Sequence, residues 1–217
     1  MNKLSGLYAI TDANLQPADE LVERVYSAIE GGARLIQYRD KSADAGLRLR
    51  QANALADLCR QHGVPLIIND DVELTAECGA QGVHLGRDDA EPLTARRLLG
   101  DNAIIGVSCY NSLRRALRAA EQGADYVAFG RFFTSRTKPA AVQADVALIQ
   151  AARQRLGLPI AAIGGITRYN AAPLISAGVS MLAVVQGVFA APDIRRAAAA
   201  YAALFQPSTG EHIQRAR

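Results

Sequence analysis

Short apolar runs alternate with amphipathic stretches along the whole chain. The apolar runs are rich in Val, Ile, Leu, Tyr and Phe, and their nearly continuous apolarity is typical of parallel strands that are buried on both faces of a sheet. They predict eight strands, at residues 7–12, 35–40, 65–69, 82–86, 103–108, 126–130, 159–163 and 181–186.

The stretches between the predicted strands carry apolar residues at helical spacing. Leu21, Val25 and Ile29 would share one face of a helix. Ser112 stands where it would cap a helix that begins at Leu113. The predicted helices include residues 19–31, 44–62, 143–155 and 193–205.

This alternation predicts a single α/β domain, because no Pro- or Ser-rich linker divides the chain. Eight strand–helix units in 217 residues give about 27 residues each (217/8), near the short end for a (β/α)₈ barrel. An open doubly wound sheet that binds nucleotides would carry a Gly-rich first turn, but the first strand ends in ITDA without one. We therefore predict a (β/α)₈ TIM barrel over residues 1–206 and a polar tail over 207–217.

Composition and charge exclude several classes of function. The net charge is +3 and no Lys/Arg cluster is interleaved with aromatic residues, which argues against nucleic-acid binding. No apolar stretch approaches the ~18 residues of a membrane span, and the N-terminus lacks the apolar core of a secretory signal. The three cysteines, which show no metal-binding spacing, are predicted to be buried thiols in a reducing compartment. The cytoplasm is the expected location.

Several predicted strands end in polar residues, and a barrel collects these strand ends on one face. Gln37, Arg39 and Lys41 alternate along the second strand and its exit, so they lie on one side of it. Two cations and an amide on one face can bind a diphosphate, with Arg acting as a fork and Lys as a point charge. The alternative is a surface salt bridge with Asp40 or Asp44.

Carboxylates end the third and fourth strands. Asn69, Asp70 and Asp71 follow one strand, and Asp88 and Asp89 follow the next. A small set of oxygen ligands suits Mg²⁺, which keeps several waters and also binds substrate phosphates. The alternative is helix capping, which we predict for Asp71 and Asp88, so Asp70 and Asp89 are the predicted metal ligands.

Ser108 closes the fifth strand, where a nucleophilic serine would need a histidine base. Of the three histidines, His62 lies near a helix end and His212 lies in the tail. His84 lies within a strand and is interpreted as a packed or supporting residue. A Ser–His–Asp hydrolase is therefore not predicted, and Ser108 is expected to donate a hydrogen bond to phosphate.

The later strands end in groups that suit a second phosphate. After the sixth strand come Ser135, Arg136, Thr137 and Lys138, a phosphate cradle or lid whose alternative, favoured for Arg136 taken alone, is a solvated basic loop. Gly164–Gly165 and Gln186–Gly187 end the seventh and eighth strands, where such barrels often bind a monophosphate. One site for a diphosphate and one for a monophosphate predict a transferase that joins two phosphorylated substrates and releases pyrophosphate.

These residues resemble one known family. The stretches GLYAITD, QYRDK, INDDVELTAECGAQGVHLGRDD, GVSCYN, TSRTK and PIAAIGGIT, followed by NAAPLISAG, are similar to thiamine-phosphate synthase (thiamine-phosphate pyrophosphorylase). They span residues 6 to 187, nearly the whole chain, and are specific when taken together and in this order.

The resemblance implies a (β/α)₈ barrel that joins 4-amino-2-methyl-5-pyrimidinylmethyl diphosphate to a plain or carboxylated thiazole phosphate. It implies that the pyrimidine diphosphate is bound by Gln37, Tyr38, Arg39, Asp40, Lys41, Asn69, Ser108 and Lys138. Of these, Arg39, Lys41, Ser108 and Lys138 would be catalytic. One Mg²⁺ ion would be held by Asp70 and Asp89. The thiazole phosphate would be bound by Ser135, Arg136, Thr137, Gly165, Val185 and Gln186.

Some positions depart from the family pattern, which usually has Gly-Pro followed by Pro-Thr-x-Thr-Lys. Arg131 and Thr134 replace the two prolines, and Ser135 replaces the first threonine. The loop loses two residues with fixed φ but keeps a hydroxyl at the serine. Gln186 stands where the family often has Ser.

The resemblance implies a dissociative reaction, in which the C–O bond ionises before the thiazole nitrogen attacks. Two alternatives remain open: a metal-independent thiazole tautomerase of the same fold, and a non-enzymatic phosphate-binding regulator. The expected partners are two phosphorylated small molecules, with no nucleic acid and no membrane, and a homo-oligomer is compatible with the sequence.

Overall fold

Eight parallel strands close into a barrel in the computed structural model, which describes residues 4–134 and 142–206. Each strand pairs with the next in sequence, and the eighth pairs with the first. The strands are β1 (Gly6–Ile10), β2 (Ala33–Tyr38), β3 (Leu66–Asn69), β4 (Gly82–Leu85), β5 (Ile104–Tyr110), β6 (Tyr126–Phe129), β7 (Ile160–Ile163) and β8 (Met181–Val184). The predicted (β/α)₈ barrel is confirmed.

Helices follow the strands and surround the barrel. They are α1 (Leu21–Glu30), α2 (Ala45–Gln61), α3 (Val72–Cys78), α4 (Pro92–Leu99), α5 (Leu113–Glu121), α6 (Val146–Arg155), α7 (Ala172–Ser176), α8 (Gln186–Phe189) and α9 (Ile194–Ala202), with a 3₁₀ turn at Ala203–Phe205. Four of them, α3, α4, α7 and α8, have only 4 to 8 residues, too few for a periodic apolar pattern to predict them. No described helix is long and apolar enough to cross a membrane.

The predicted capping residues divide into two correct cases and one error. Ser112 accepts a hydrogen bond from the Arg115 backbone N–H (3.2 Å), and Asp71 accepts one from Leu74 N–H (2.8 Å), as predicted. Asp88 does not cap α4, because that helix begins at Pro92 and its N-cap residue is Glu91. Proline fits the first helical turn because its missing N–H would have no partner there.

The core has two layers, and alternation along each strand divides side chains between them. Leu7 and Ile36 face outward and pack against the helices, while Tyr8, Leu35 and Tyr126 face the interior of the barrel. Because both layers are buried, the strands look continuously apolar in the sequence. All three cysteines are buried and free, as predicted.

Most predicted strands extend one or two residues too far at their C-terminal ends. β1, for example, ends at Ile10, and β4 ends at Leu85. β3 and β7 end where they were predicted to end, and β5 continues to Tyr110 through a register irregularity between Ser108 and Tyr110. The residues beyond most strand ends therefore leave the sheet and form the loops around the barrel mouth, the face on which the C-terminal ends of the strands meet.

Candidate active site

The barrel mouth brings the basic end of β2 against the acidic end of β3. Lys41 Nζ donates a hydrogen bond to Asp70 Oδ2 and forms an ion pair with it. The Lys41 side chain is 58% exposed and that of Asp70 is 26% exposed, so the pair lies at the rim and opens to solvent. The opposite charges predicted at the ends of the second and third strands therefore pair with each other.

Asp70 and Asp89 interact through their side chains, although they lie 19 positions apart in the sequence. Burial alone would raise the pKa of Asp70, but hydrogen bonds with Lys41 and Asp89 outweigh it and hold that pKa below its ordinary value. Burial and the hydrogen bond with Asp70 raise the pKa of Asp89. Of the two carboxyls, Asp70 therefore ionises more readily and Asp89 less readily.

Backbone contacts fix both carboxylates. Asp70 adopts a left-handed conformation (φ 67°), and its N–H donates to the carbonyl oxygen of His84 on β4 (2.8 Å). Asp89 Oδ2 accepts a hydrogen bond from Gly86 N–H (2.6 Å). Within residues 4–134 and 142–206, no group of three or more His, Cys, Asp or Glu side chains is placed to hold a metal ion. The available donors are therefore two carboxylates, which suits Mg²⁺ completed by waters and substrate phosphate and does not suit a closed protein cage.

Five side chains from five strands form a chain of hydrogen bonds across the barrel interior. Gln37 Nε2 donates to the Tyr8 hydroxyl (2.5 Å), which bonds the Tyr126 hydroxyl (2.7 Å). Tyr126 in turn bonds His84 Nδ1 (2.9 Å), and His84 Nε2 bonds Ser108 Oγ (2.8 Å). The interpretation of His84 as a packed, supporting residue is confirmed. The two tyrosines were missed, because in the sequence they look like ordinary apolar strand positions.

Arg115, on α5, connects the exits of β4 and β5 and was also missed. Its Nε donates to the Ser108 carbonyl oxygen (2.7 Å), and its Nη2 donates to the Gly86 carbonyl oxygen (2.6 Å). The guanidinium of Arg87 lies 4.8 Å from the centroid of the Tyr110 ring, and that of Arg115 lies 5.8 Å from it. In the sequence, Arg115 looks the same as a solvent-exposed arginine on a helix, so no sequence signal could have identified it.

Tyr38 and Asp40, which alternate in sequence with the predicted diphosphate ligands, contact α2 and the loop after β2. The Tyr38 hydroxyl donates to Gln51 Oε1 on α2 (2.7 Å), and Asp40 Oδ1 accepts from Ser42 N–H (2.6 Å). These contacts position the strand exit, and a contact of Tyr38 or Asp40 with substrate stays a prediction. The β1 and β2 exits are joined by Thr11 Oγ1, which accepts from the backbone N–H of Arg39, directly after β2 (2.8 Å).

The glycine pair after β7 permits a close approach of the segment that follows β6. A Cβ on Gly165, which has φ 64°, would lie 2.3 Å from the carbonyl oxygen of Thr134. A Cβ on Gly164 would lie 2.3 Å from the Arg131 Cβ atom. After β8, Val185 precedes the short helix α8, and Gln186 begins it. The other residues predicted for this side, Ser135, Arg136, Thr137 and Lys138, lie outside the described residues.

Fold and site together define a class of protein, a (β/α)₈-barrel enzyme that concentrates its charged groups at the C-terminal ends of the strands. The family model described as thiamine monophosphate synthase matches residues 7–188 of the chain. The chain therefore belongs to the thiamine monophosphate synthase family, as its sequence motifs predicted.

Relatives and solved structures agree with this assignment. The thiamine-phosphate synthase of Nitrosococcus oceani is 54% identical over 200 residues, which cover 92% of each chain. That of Marinobacter nauticus is 57% identical over 184 residues, which cover 85% of this chain and 82% of the relative. The structure of a thiamine phosphate pyrophosphorylase from Pyrococcus furiosus matches with a TM-score of 0.83 at 33% identity, over 93% of this chain and 96% of that one. The chain is thus a transferase of thiamine biosynthesis that acts on small molecules.

Proposed function

We propose that the barrel mouth joins 4-amino-2-methyl-5-pyrimidinylmethyl diphosphate to a thiazole phosphate and releases pyrophosphate. The observation that carries the proposal is the convergence of the Lys41–Asp70 pair, Asp89 and Ser108 at one end of the barrel. The membership of the chain in a synthase family supports the same reaction.

In the proposed reaction the C–O bond to the diphosphate breaks first, and pyrophosphate leaves with the electron pair. The thiazole nitrogen then forms the new C–N bond to the pyrimidinylmethyl cation. A carboxylated thiazole phosphate would also lose CO₂ to give the same product. No general base is required, which agrees with the position of His84, whose ring is held between two hydroxyls.

The protein's task is to stabilise negative charge on the leaving group. Arg39, Lys41, Ser108 and Lys138 would donate to the departing diphosphate, and this is an electrostatic and positioning role. Asn69 and Gln37 would orient the pyrimidine substrate. Positions Tyr38 and Asp40 complete the predicted site, in which their described contacts support the β2 exit.

Asp70 and Asp89 would hold one Mg²⁺ ion. When bound, the ion would supply compensating positive charge to the diphosphate. The contact between the two carboxyls supports this assignment, because a divalent cation would compensate the charge of both and replace the Lys41 contact of Asp70. Lys41 would then be available to the diphosphate.

The thiazole phosphate would bind on the opposite side of the mouth. The proposed residues there are Ser135, Arg136, Thr137, Gly165, Val185 and Gln186. Backbone N–H groups at Gly165 and at the start of α8 would contact the phosphate, since the first turn of a helix leaves such groups without intrahelical partners.

We also propose that residues 1–206 form one domain and that the protein works in the cytoplasm. The second proposal is supported by three buried, unpaired cysteines, which is the usual state in a reducing compartment.

The reaction is tested by incubating the enzyme with both substrates and Mg²⁺ and measuring thiamine phosphate and pyrophosphate. We expect Arg39→Ala and Lys41→Ala each to lower kcat about a hundredfold, because each removes a charge that stabilises the leaving group. Arg97→Ala, which removes an exposed cation on α4, is the matched control. Near-wild-type turnover in both site variants would overturn the assignment, and turnover without any divalent metal would favour a metal-independent reaction.

A further inference from the structure

The hydrogen bonds of the interior chain all run in one direction from donor to acceptor. The reason is that each hydroxyl, and the neutral imidazole, has a single proton to donate. Gln37 Nε2 can only donate, so the Tyr8 oxygen accepts from it (2.5 Å). Tyr8 has one proton of its own, and among the described residues the other partner of its hydroxyl is Tyr126 (2.7 Å). Tyr8 therefore donates to Tyr126. By the same count, the Tyr126 proton goes to His84 Nδ1 (2.9 Å).

This direction fixes the tautomer of His84. Because Nδ1 accepts a hydrogen bond from Tyr126, its lone pair is used and the ring proton resides on Nε2. Nε2–H then donates to Ser108 Oγ (2.8 Å). Ser108 accepts in that bond, and its own proton remains free to point toward the barrel mouth.

The surroundings keep this arrangement rigid. Tyr8 and Tyr126 are fully buried and pack edge to face, with ring centroids 5.9 Å apart, and the His84 ring stacks on Tyr126 at 5.6 Å. Gly106 on β5 makes room for this packing, since a Cβ there would lie 2.0 Å from Tyr126 Cζ. Burial raises the pKa of both tyrosines, so both keep the protons that the chain needs.

We propose that the Gln37–Tyr8–Tyr126–His84–Ser108 chain is a directional relay that sets Ser108 as a hydrogen-bond donor to an anion. Tyr8, Tyr126 and His84 are its positioning residues. The relay rests on the proposed function only in that the anion is the diphosphate leaving group.

The opposite direction would give the opposite chemistry. If the Gln37 carbonyl oxygen faced Tyr8, every donor would reverse, and Ser108 would donate to His84 Nε2. Ser108 would then offer only lone pairs to the mouth, which would repel a diphosphate. The orientation of one amide on β2 therefore decides the role of a hydroxyl on β5.

The direct test is the tautomer of His84 in the ligand-free enzyme, measured by ¹⁵N NMR of the imidazole at a pH where the ring is neutral. We expect the proton on Nε2. A proton on Nδ1, or on both nitrogens, would overturn the relay whether or not the enzyme is active. Conversely, Nε2–H in an enzyme that makes no thiamine phosphate would leave the relay standing and count against the proposed function.

Gln37→Glu should reverse the chain, because a carboxylate has no proton to donate and Tyr8 must then donate to it. At alkaline pH, where the new carboxyl ionises, the His84 proton should move to Nδ1. An unchanged tautomer at every alkaline pH would contradict the directional coupling.

Kinetic coupling gives an independent readout. Tyr126→Phe should lower kcat about five- to tenfold, the equivalent of one hydrogen bond, with KM little changed. Adding Tyr126→Phe to Ser108→Ala should cause no further loss, because the oriented proton is already gone. Additive losses would overturn the proposal. Tyr8→Phe repeats the test if Tyr126→Phe folds poorly, and Tyr26→Phe, on the exposed face of α1, is the control.

Discussion

The two sides of the barrel mouth are built in different ways. The side formed by β2 to β5 uses charged and polar side chains, joined by the Lys41–Asp70 pair, the hydrogen bond between Asp70 and Asp89 and the interior relay. The side formed by β7 and β8 presents backbone, with glycines where neighbouring segments approach within van der Waals distance. A substitution on the side-chain side can remove one functional group and leave the packing intact, whereas a side chain added at a close backbone contact displaces the backbone itself. Substitutions on the two sides should therefore have different effects on stability and activity.

The largest effect is expected from Gly165→Ala. The new Cβ would overlap the Thr134 carbonyl, and alanine is strained at φ 64°. We expect unfolding free energy to fall by about 2–4 kcal/mol and KM for the thiazole phosphate to rise at least tenfold. Urea unfolding and steady-state kinetics measure the two quantities.

Gly157→Ala is the matched control, because nothing lies within 4 Å of a Cβ at that position. Equal behaviour of the two variants would show that the β7 exit does not depend on close backbone approach.

An intermediate effect is expected from Asp89→Asn on the side-chain side. Asp89 has a raised folded-state pKa, so its contribution to stability is present below the unfolded-state pKa and is lost as pH rises through the folded-state pKa. Asparagine imitates the protonated form. Without metal, the variant should therefore melt higher than wild type at neutral pH, and the difference should vanish near about pH 4.

Magnesium should reverse that order. Added Mg²⁺ should raise the Tm of the wild type and leave the variant almost unchanged, while the activity of the variant falls. Asp88→Asn, one residue away and exposed, is the control for charge alone. If the Tm difference between variant and wild type depended on neither pH nor Mg²⁺, Asp89 would not be a metal ligand.

The smallest effect is expected from Asp71→Ala, next to a proposed metal ligand. Asp71 caps α3 and pairs with Arg48 (2.6 Å), so its loss should lower unfolding free energy by about 1–2 kcal/mol. The Mg²⁺ concentration needed for half-maximal activity should stay the same. Asp71→Ser, which retains a capping oxygen, should recover most of the stability, and a shifted Mg²⁺ requirement would show that Asp71 belongs to the site.

Local patterns predicted much of this architecture. Apolar runs identified all eight strands, and the polar residues after them predicted which groups meet, because parallel strands in a barrel carry their ends to one face. The pairing of Asp70 with Asp89 follows from the adjacency of β3 and β4. The resemblance to a known family added the reaction.

Contacts across the barrel could not be predicted in the same way. Tyr8 and Tyr126 are 118 residues apart and meet only because strands β1 and β6 face each other through the interior. Likewise, the glycine pair after β7 was predicted only as a phosphate-binding site. The structure shows that these glycines also leave room for the close packing of the segment after β6. Such constraints depend on which atoms occupy the remaining space, which no single segment specifies.

The contact between Lys41 and Asp70 has a consequence for selectivity. In the enzyme without ligand the lysine already has a counter-ion, so inorganic phosphate meets a paired lysine and not a free one. Separating the two charges leaves the Asp70 carboxylate without its counter-ion, unless the incoming molecule carries a cation of its own. The pair therefore favours binding of an anion that carries a bound cation over binding of an anion alone.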